Sequence, residues 1–200
     1  MLPILLGIDW LVSNGTAATR RIFRALALIQ VLLLFVIMLS AVQRMRLYQS
    51  EYGLTELRLY TTAFMGWLAI VFVWFVLTVL RGRRERFAFG AMTAGLVVIG
   101  LLHVASPDAF IIRINTDRIR EGRRFDAVYA TTLSADAVPP LLDAMPLLAL
   151  KDREIVAKKV LDQWSPAQLS GWRSWSLARD KARQSVRNNE ILLRDLATNN

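Results

Sequence analysis

The sequence has no cysteine and a single histidine in 200 residues. Without cysteine there are no disulfides, thiolate metal sites or cysteine nucleophiles, and one histidine cannot build a histidine–cysteine zinc site. The acidic residues form no cluster in the sequence that would indicate a carboxylate metal site. We therefore predict no metal and no cofactor.

Phosphate loops, dinucleotide fingerprints, nucleophile elbows and metalloprotease motifs are also missing from the sequence. Ser134 and Asp136 lie two residues apart with no histidine nearby, so they do not form a serine–histidine–acid pattern. Asp126 and Asp136 would support acid–base chemistry only if folding brought them together, and capping or ion pairing is the favoured interpretation. No catalytic residue is predicted, and an enzyme is the least supported class.

Acidic residues are scarce before residue 106, where four acids face ten arginines for a local charge of +6. The remainder has fifteen basic and twelve acidic residues, or +3, and the two parts sum to the total of +9. Half or more of this excess flanks apolar segments, where arginines set orientation and contact anionic headgroups. No nucleic-acid motif accompanies the charge, so nucleic acid is not a predicted partner.

Apolar runs without any charge occupy most of the first half. Runs at 25–43, 61–80 and 87–105 each approach the roughly 20 residues that cross a hydrocarbon core about 30 Å thick. The preceding segment 1–24 joins a short apolar stretch to a basic flank; it is either interfacial or the tail of a truncated span, with truncation favoured. The predicted fold is an all-α integral membrane bundle of three spans, followed by a helical extramembrane domain over 106–200.

The arginines also predict an orientation. Four in the hinge at 81–86 and three at 20–24 outnumber the three in the link at 44–60, which places the amino end and the hinge in the cytoplasm. The carboxyl-terminal domain then lies in the periplasm. Five arginines at 113–124 argue the other way, but they are interleaved with acids and lie outside the compact hinge.

Small residues in the third span recur four positions apart, at 90/94 and 91/95, and such pairs allow close approach of helix backbones. This span is interpreted as the packed centre of the bundle, or as a contact with missing or partner helices. His103 near its exit and Gln30 in the first span are polar residues at membrane depth. A structural role is favoured for both, and a transport path is the alternative.

Capping signals divide the extramembrane segment into helices. The run SPD at 106–108 predicts a helix whose N-cap is Ser106. Ser134 predicts another, bent or interrupted at the prolines 139 and 140, and a long last helix is predicted over 174–196. Three tryptophans are interpreted as apolar anchors, with a sugar or peptide platform as the alternative: Trp164, Trp172 and Trp175.

Four stretches carry a resemblance: YGLTELRLY at 52–60, SPDAFIIRINTDR at 106–118, FDAVYATTLSADAVPPL at 125–141 and WRSWSLARDKAR at 172–183. They resemble the carboxyl-terminal part of a bacterial domain-of-unknown-function family of multi-span inner-membrane proteins, which usually have further spans at the amino end. The resemblance implies a location and no established activity. Its recurring pattern near the membrane exit is matched by Asn115, Arg118, Asp126, Tyr129, Ser134, Asp136 and Pro139.

The predicted function is that of an anchor, scaffold or interaction subunit in the bacterial inner membrane, presenting a helical domain. Its predicted partners are membrane lipid and other membrane helices or subunits. The alternative is a transporter or permease component with a polar path near Gln30, His103 and Arg113. The candidate functional residues are His103, Arg113, Asn115, Arg118, Asp126, Tyr129 and Asp136.

Overall fold

The computed structural model describes residues 4–5, 7–8, 16–83, 85–164 and 176–198. It is 86% helical, and the described residues contain no strand, which confirms the all-α prediction. Two compact units divide the chain. The first comprises Met1–Tyr48 and Tyr60–Leu101, and the second comprises Gln49–Leu59 and Leu102–Asn200.

Three helices in the described part of the chain are long and apolar enough to cross a membrane, as predicted. They are α1 at Ala17–Tyr52, α2 at Glu56–Thr78 and α3 at Glu85–Val104. Helix α1 extends beyond its apolar run at both ends, because the flanking sequence is rich in alanine, arginine, leucine and glutamine, which favour helix. The link to α2 is consequently only three residues long, at 53–55.

Aromatic side chains form the core of the first unit near the α2–α3 hinge. Phe75 is fully buried and meets the ring of Phe87 edge to face, with the ring centroids 5.7 Å apart. Ala27 and Val31 bring α1 into the same cluster. Gly82, with a φ of +78°, supplies the left-handed turn that reverses the chain between α2 and α3.

Two indoles join α2 to α3. Trp67 Nε1 donates to Ala91 O and Trp74 Nε1 donates to Arg86 O, each over 3.2 Å. A Cβ at Gly90 would overlap the Trp74 indole, so glycine makes room for that ring. The small residues of α3 therefore accept indoles rather than the backbone of another helix. Because Phe87 is the one buried residue described on α3, this helix is not the packed centre of the described unit. The alternative interpretation, a contact with missing or partner helices, stays a prediction.

The second unit is a bundle of shorter helices over the described residues. After α4 at Pro107–Arg120 come α5 at Ala127–Ala130, α6 at Val138–Ala144, α7 at Leu150–Trp164, α8 at Leu177–Asn188 and α9 at Glu190–Thr198. Its core contains Ile111 and Ile112 of α4, Leu141 of α6, Val156 of α7, Val186 of α8 and Leu193 of α9. Trp164 packs against this core, in keeping with an apolar anchor, whereas Trp172 and Trp175 lie outside the described residues.

Three details of the predicted helices differ in the structure. Helix α4 begins at Pro107 as predicted, but Ser106 is left-handed with a φ of 46°, and its side chain makes no capping hydrogen bond. The two prolines occupy the first turn of α6, where a missing N–H costs nothing, and a 3₁₀ turn at Ala135–Ala137 precedes them. The last helix breaks at Asn189, and Ser176 caps α8 by accepting from Arg179 N.

Candidate functional site

The link between α1 and α2 folds as part of the second unit. Leu54, at its centre, is buried in the core of that unit together with residues of α4 and α6. Burying a leucine side chain is worth about 1.5–3 kcal/mol. The loop between the two predicted spans is thus held in place by a residue that is itself part of the core.

Asn115 of α4 holds the backbone of Leu54 with both ends of its amide. Leu54 N donates to Asn115 Oδ1 over 2.8 Å, and Asn115 Nδ2 donates to Leu54 O over 2.9 Å. A buried backbone segment outside a helix needs such partners, because unpaired N–H and C=O groups are costly away from water. One asparagine therefore replaces the hydrogen bonds that regular structure would have supplied.

Arginines satisfy carbonyl groups at the carboxyl end of α1. Arg118 Nη2 donates to Ser50 O over 2.7 Å, and Arg58 Nη1 donates to Gly53 O over 2.6 Å. The last carbonyls of a helix lack partners within it and carry partial negative charge, so a guanidinium there is stabilising. Arg123 adds an ion pair with Glu51 at 2.9 Å, on the exposed side.

Gly53 makes these contacts possible. Its φ is +82°, and a Cβ on it would lie 2.6 Å from Arg118 Nη1 and 2.8 Å from Asn115 Oδ1. Glycine is therefore required twice, once for the left-handed backbone that ends α1 and once for the close approach of α4.

Tyr129 holds the start of α2. Its hydroxyl accepts a hydrogen bond from Glu56 N over 2.8 Å, and Asp126 fixes the turn of Tyr129 by accepting from Tyr129 N over 2.9 Å. Burial raises the pKa of the Tyr129 phenol above its ordinary value of 10.0, and the hydrogen bond from Glu56 opposes that rise. We call Asn115, Arg118 and Tyr129 the clamp, because they bind the chain between Ser50 and Glu56.

Asp108 lies beneath the clamp. It is buried, and its Oδ2 accepts from Ser134 N over 3.0 Å, which joins α4 to the turn after α5. Its Oδ1 is buried and receives no hydrogen bond from a donor group among the described residues.

A cavity of about 120 Å³ lies among the clamp residues, lined also by Asp126 and Phe125. Pockets for small molecules usually measure about 300–1,000 Å³, so this space fits a few waters rather than a substrate. Within the described chain, no three His, Asp or Glu side chains gather as possible metal ligands. The clamp is built to hold chain segments together.

A family model described as a domain of unknown function (DUF4153) matches residues 1–144, which is more than two thirds of the chain. The chain belongs to the DUF4153 family. The predicted resemblance to a domain-of-unknown-function family is thereby confirmed. No curated protein and no solved structure matches the chain. Every clamp residue lies inside the DUF4153 match, together with Gly53 and Asp108.

The other candidate residues of this DUF4153 chain lie apart from the clamp. His103 is exposed in the last turn of α3, and Asp136 is half-buried in the 3₁₀ turn. Arg113 is exposed on α4 and lines an open groove of about 440 Å³ with Asp117 and Asp143. Gln30, named for the transport path, lies on α1, so the three residues of that path come from three different helices.

Sequence reasoning missed Gly53, Arg58 and Asp108 as parts of this site. The run YGLTELR at 52–58 contained the signal for the first two, since a glycine at the end of a long helical pattern indicates a C-terminal cap. The run SPD at 106–108 pointed only to the start of α4 and gave Asp108 no role in this site. Its contact with Ser134 joins residues 26 positions apart, which no local pattern encodes.

Proposed function

We propose that this DUF4153 protein is an anchor and interaction subunit of the bacterial inner membrane, without catalytic activity of its own. The three apolar helices hold it in the bilayer, with the hinge at 81–86 in the cytoplasm. The second unit lies on the periplasmic side and presents its helices to other subunits of an assembly.

The observation that carries this proposal is the clamp. Asn115, Arg118 and Tyr129 were predicted as candidate functional residues, and each forms a hydrogen bond with a backbone atom between Ser50 and Glu56. The surrounding cavity is too small for a substrate. Side chains that bind the backbone in this way support a structural role, in which they hold the second unit rigid.

Several large apolar side chains are exposed on the second unit. Ile191 of α9 is 89% exposed, and Leu150 and Leu177 also project large apolar surfaces. Single exposed apolar residues are common on protein surfaces, so these three do not define an apolar patch. Ile191 is the most exposed of them, and it is the position at which contact with a partner is tested.

Crosslinking in native membranes tests the proposal. A photoreactive amino acid replaces Ile191 in the full chain, and Lys158, an exposed residue of α7, is the matched control position. We expect a discrete protein adduct from position 191, identified by mass spectrometry, and none from position 158. Equal diffuse labelling at both positions, or labelling of lipid alone, contradicts the proposal.

Transport is tested separately in proteoliposomes with labelled inorganic ions and amino acids. The variants are Gln30→Ala and His103→Ala, and Met92→Ala, an exposed position on α3, is the control. We expect no flux above empty liposomes. Flux that Gln30→Ala or His103→Ala abolishes while Met92→Ala preserves it would overturn the anchor in favour of a transporter.

A further inference from the structure

A groove of about 820 Å³ runs along the first unit between α2 and α3. Its walls include Ile70 and Trp74 of α2 and Phe89, Val97 and Leu101 of α3, and Arg86 lies at the hinge end. We propose that this groove binds one anionic phospholipid, with an acyl chain along α3 and the phosphate at Arg86. The site goes beyond the interaction role, and it rests on the membrane insertion of α2 and α3 that the proposed function includes.

The groove is long enough for an acyl chain of one leaflet. From Arg86 to Leu101 a helix rises about 22 Å at 1.5 Å per residue. Half of a hydrocarbon core is about 15 Å thick. An acyl chain of a hinge-side lipid whose phosphate lies at Arg86 therefore fits within the groove.

The groove wall offers no open hydrogen-bonding group along the acyl chain. Trp74 Nε1 already donates to Arg86 O, and Thr93 Oγ1 donates to Phe89 O over 2.8 Å. A polar ligand would leave its own polar groups without hydrogen bonds there, whereas a hydrocarbon chain has no hydrogen bonds to lose. The wall is matched to an acyl chain.

Charge selects the headgroup. The Arg86 side chain is exposed and takes part in no ion pair among the described residues, and Glu85 is the one acid beside it in the groove. Basic sites between membrane helices bind acidic headgroups, and an arginine at the phosphate contributes about fivefold in affinity. Arg81 and Arg83 lie in the hinge but do not line the groove, so the phosphate contact is assigned to Arg86.

A lipid fits this groove better than a second helix does. Close helix packing needs a bare glycine face, and the Trp74 indole already covers Gly90. Phe89 and Val97 also remain exposed along the groove, where they would hold an incoming helix away from α3. An acyl chain follows such an uneven surface because each of its bonds rotates.

The test uses the full chain in nanodiscs that contain equal phosphatidylglycerol and phosphatidylcholine, extracted mildly and weighed by native mass spectrometry. We expect one retained phosphatidylglycerol. Arg86→Gln should lower its retention about fivefold, whereas Arg81→Gln, a hinge arginine that does not line the groove, should not. An equal loss with Arg81→Gln would mean general surface attraction and overturn the site.

Filling the groove provides the second arm. Val97→Phe, at a position 55% exposed within the groove, should abolish retention of either lipid, whereas Ile99→Phe, 65% exposed on the same helix outside it, should not. Both substitutions change exposed residues, so loss of the fold is not expected, and circular dichroism checks this. Unchanged retention in Val97→Phe overturns the proposal.

A second copy as occupant has its own readout. Because the chain has no cysteine, Val97→Cys and Ile99→Cys each introduce a single thiol. If position 97 but not 99 forms a disulfide dimer in membranes under oxidation, the groove is an interface between copies and the lipid proposal fails.

Discussion

Asn115 satisfies both backbone polar groups of Leu54 with one side chain. In Asn115→Ala both hydrogen bonds disappear and two buried groups lose their partners. We expect a loss of about 1–3 kcal/mol in the free energy of unfolding. Thermal unfolding of the detergent-solubilised protein measures this loss. Asp117→Asn, a substitution at an exposed position of the same helix, is the control, and its stability should stay near that of the wild type. Equal stability of the two variants would contradict the role given to Asn115.

Substitutions at two glycines distinguish the cost of a strained backbone from the cost of steric overlap. Gly53 and Gly122 both have positive φ, at +82° and +77°, but a Cβ at Gly53 would meet Arg118 and Asn115, while a Cβ at Gly122 would meet nothing within 4 Å. Gly122→Ala should cost about 1–2 kcal/mol for the left-handed backbone. Gly53→Ala should cost about 1–3 kcal/mol more, from overlap. Similar melting temperatures for the two variants would show that α4 does not press against Gly53.

Tyr129 should make stability depend on alkaline pH. Burial raises the pKa of its phenol in the folded state, so its contribution is fully present below the unfolded pKa of about 10 and is lost as pH rises through the folded pKa. Unfolding measured between pH 8 and 11 should show a steeper loss above pH 10 in wild type than in Tyr129→Phe. Tyr48→Phe, an exposed position on α1, is the control and should keep the wild-type slope.

At the scale of elements, α2 and α3 are joined by indoles. The small residues predicted contact of α3 with a helix backbone, but the partners are Trp67 and Trp74. The sequence pattern shows where small residues leave space on the surface of a helix. It does not show whether that space is filled by the backbone of another helix or by a large side chain. That choice depends on residues about 16 to 28 positions away, beyond any helical period.

Gly90→Ala and Gly100→Ala test this packing. A methyl group at Gly90 would displace the Trp74 indole and weaken its hydrogen bond to Arg86 O, whereas a methyl group at Gly100 meets nothing within 4 Å. We expect Gly90→Ala to lose about 1–3 kcal/mol and Gly100→Ala to gain up to about 1 kcal/mol from better helix propensity. Thermal melts in detergent compare them. A stabilised Gly90→Ala would contradict the indole contact.

The helices themselves were largely predictable, and the reasons are local. Charge-free apolar runs located α1, α2 and α3, and Pro107 marked the start of α4. The clamp was predictable only in part. The resemblance pointed to Asn115 and Arg118, but their partners lie on the other side of two spans in the sequence, with Leu54 and Asn115 61 residues apart. Pairing over such distances is set by tertiary packing, which leaves no period in the sequence.

At the scale of the whole molecule, the clamp bears on membrane topology. Three spans place the 49–59 segment and the chain after α3 on the same side of a bilayer, and the structure folds both into one unit. An even number of spans between them is required for that contact, and α2 and α3 are two. Hydropathy and packing therefore agree that the number of spans between the two segments is even.

Thiol accessibility tests this arrangement in a chain without native cysteine. Leu57→Cys and Lys151→Cys in the second unit should react with an impermeant maleimide added to intact cells freed of their outer membrane, and Arg83→Cys in the hinge should react only after lysis. The positive-inside rule gives this polarity. Labelling of all three in intact cells would contradict three spans, and the inverse pattern would reverse the proposed orientation.

The clamp also imposes an order on biogenesis. Translation proceeds at about 5–20 residues per second, so Leu54 leaves the ribosome about 3–12 s before the asparagine that holds it. If the three apolar helices are inserted in chain order, Leu54 stays uncovered until α4 has been made. The burial of this leucine then depends on the synthesis and insertion of the two helices that separate it from α4.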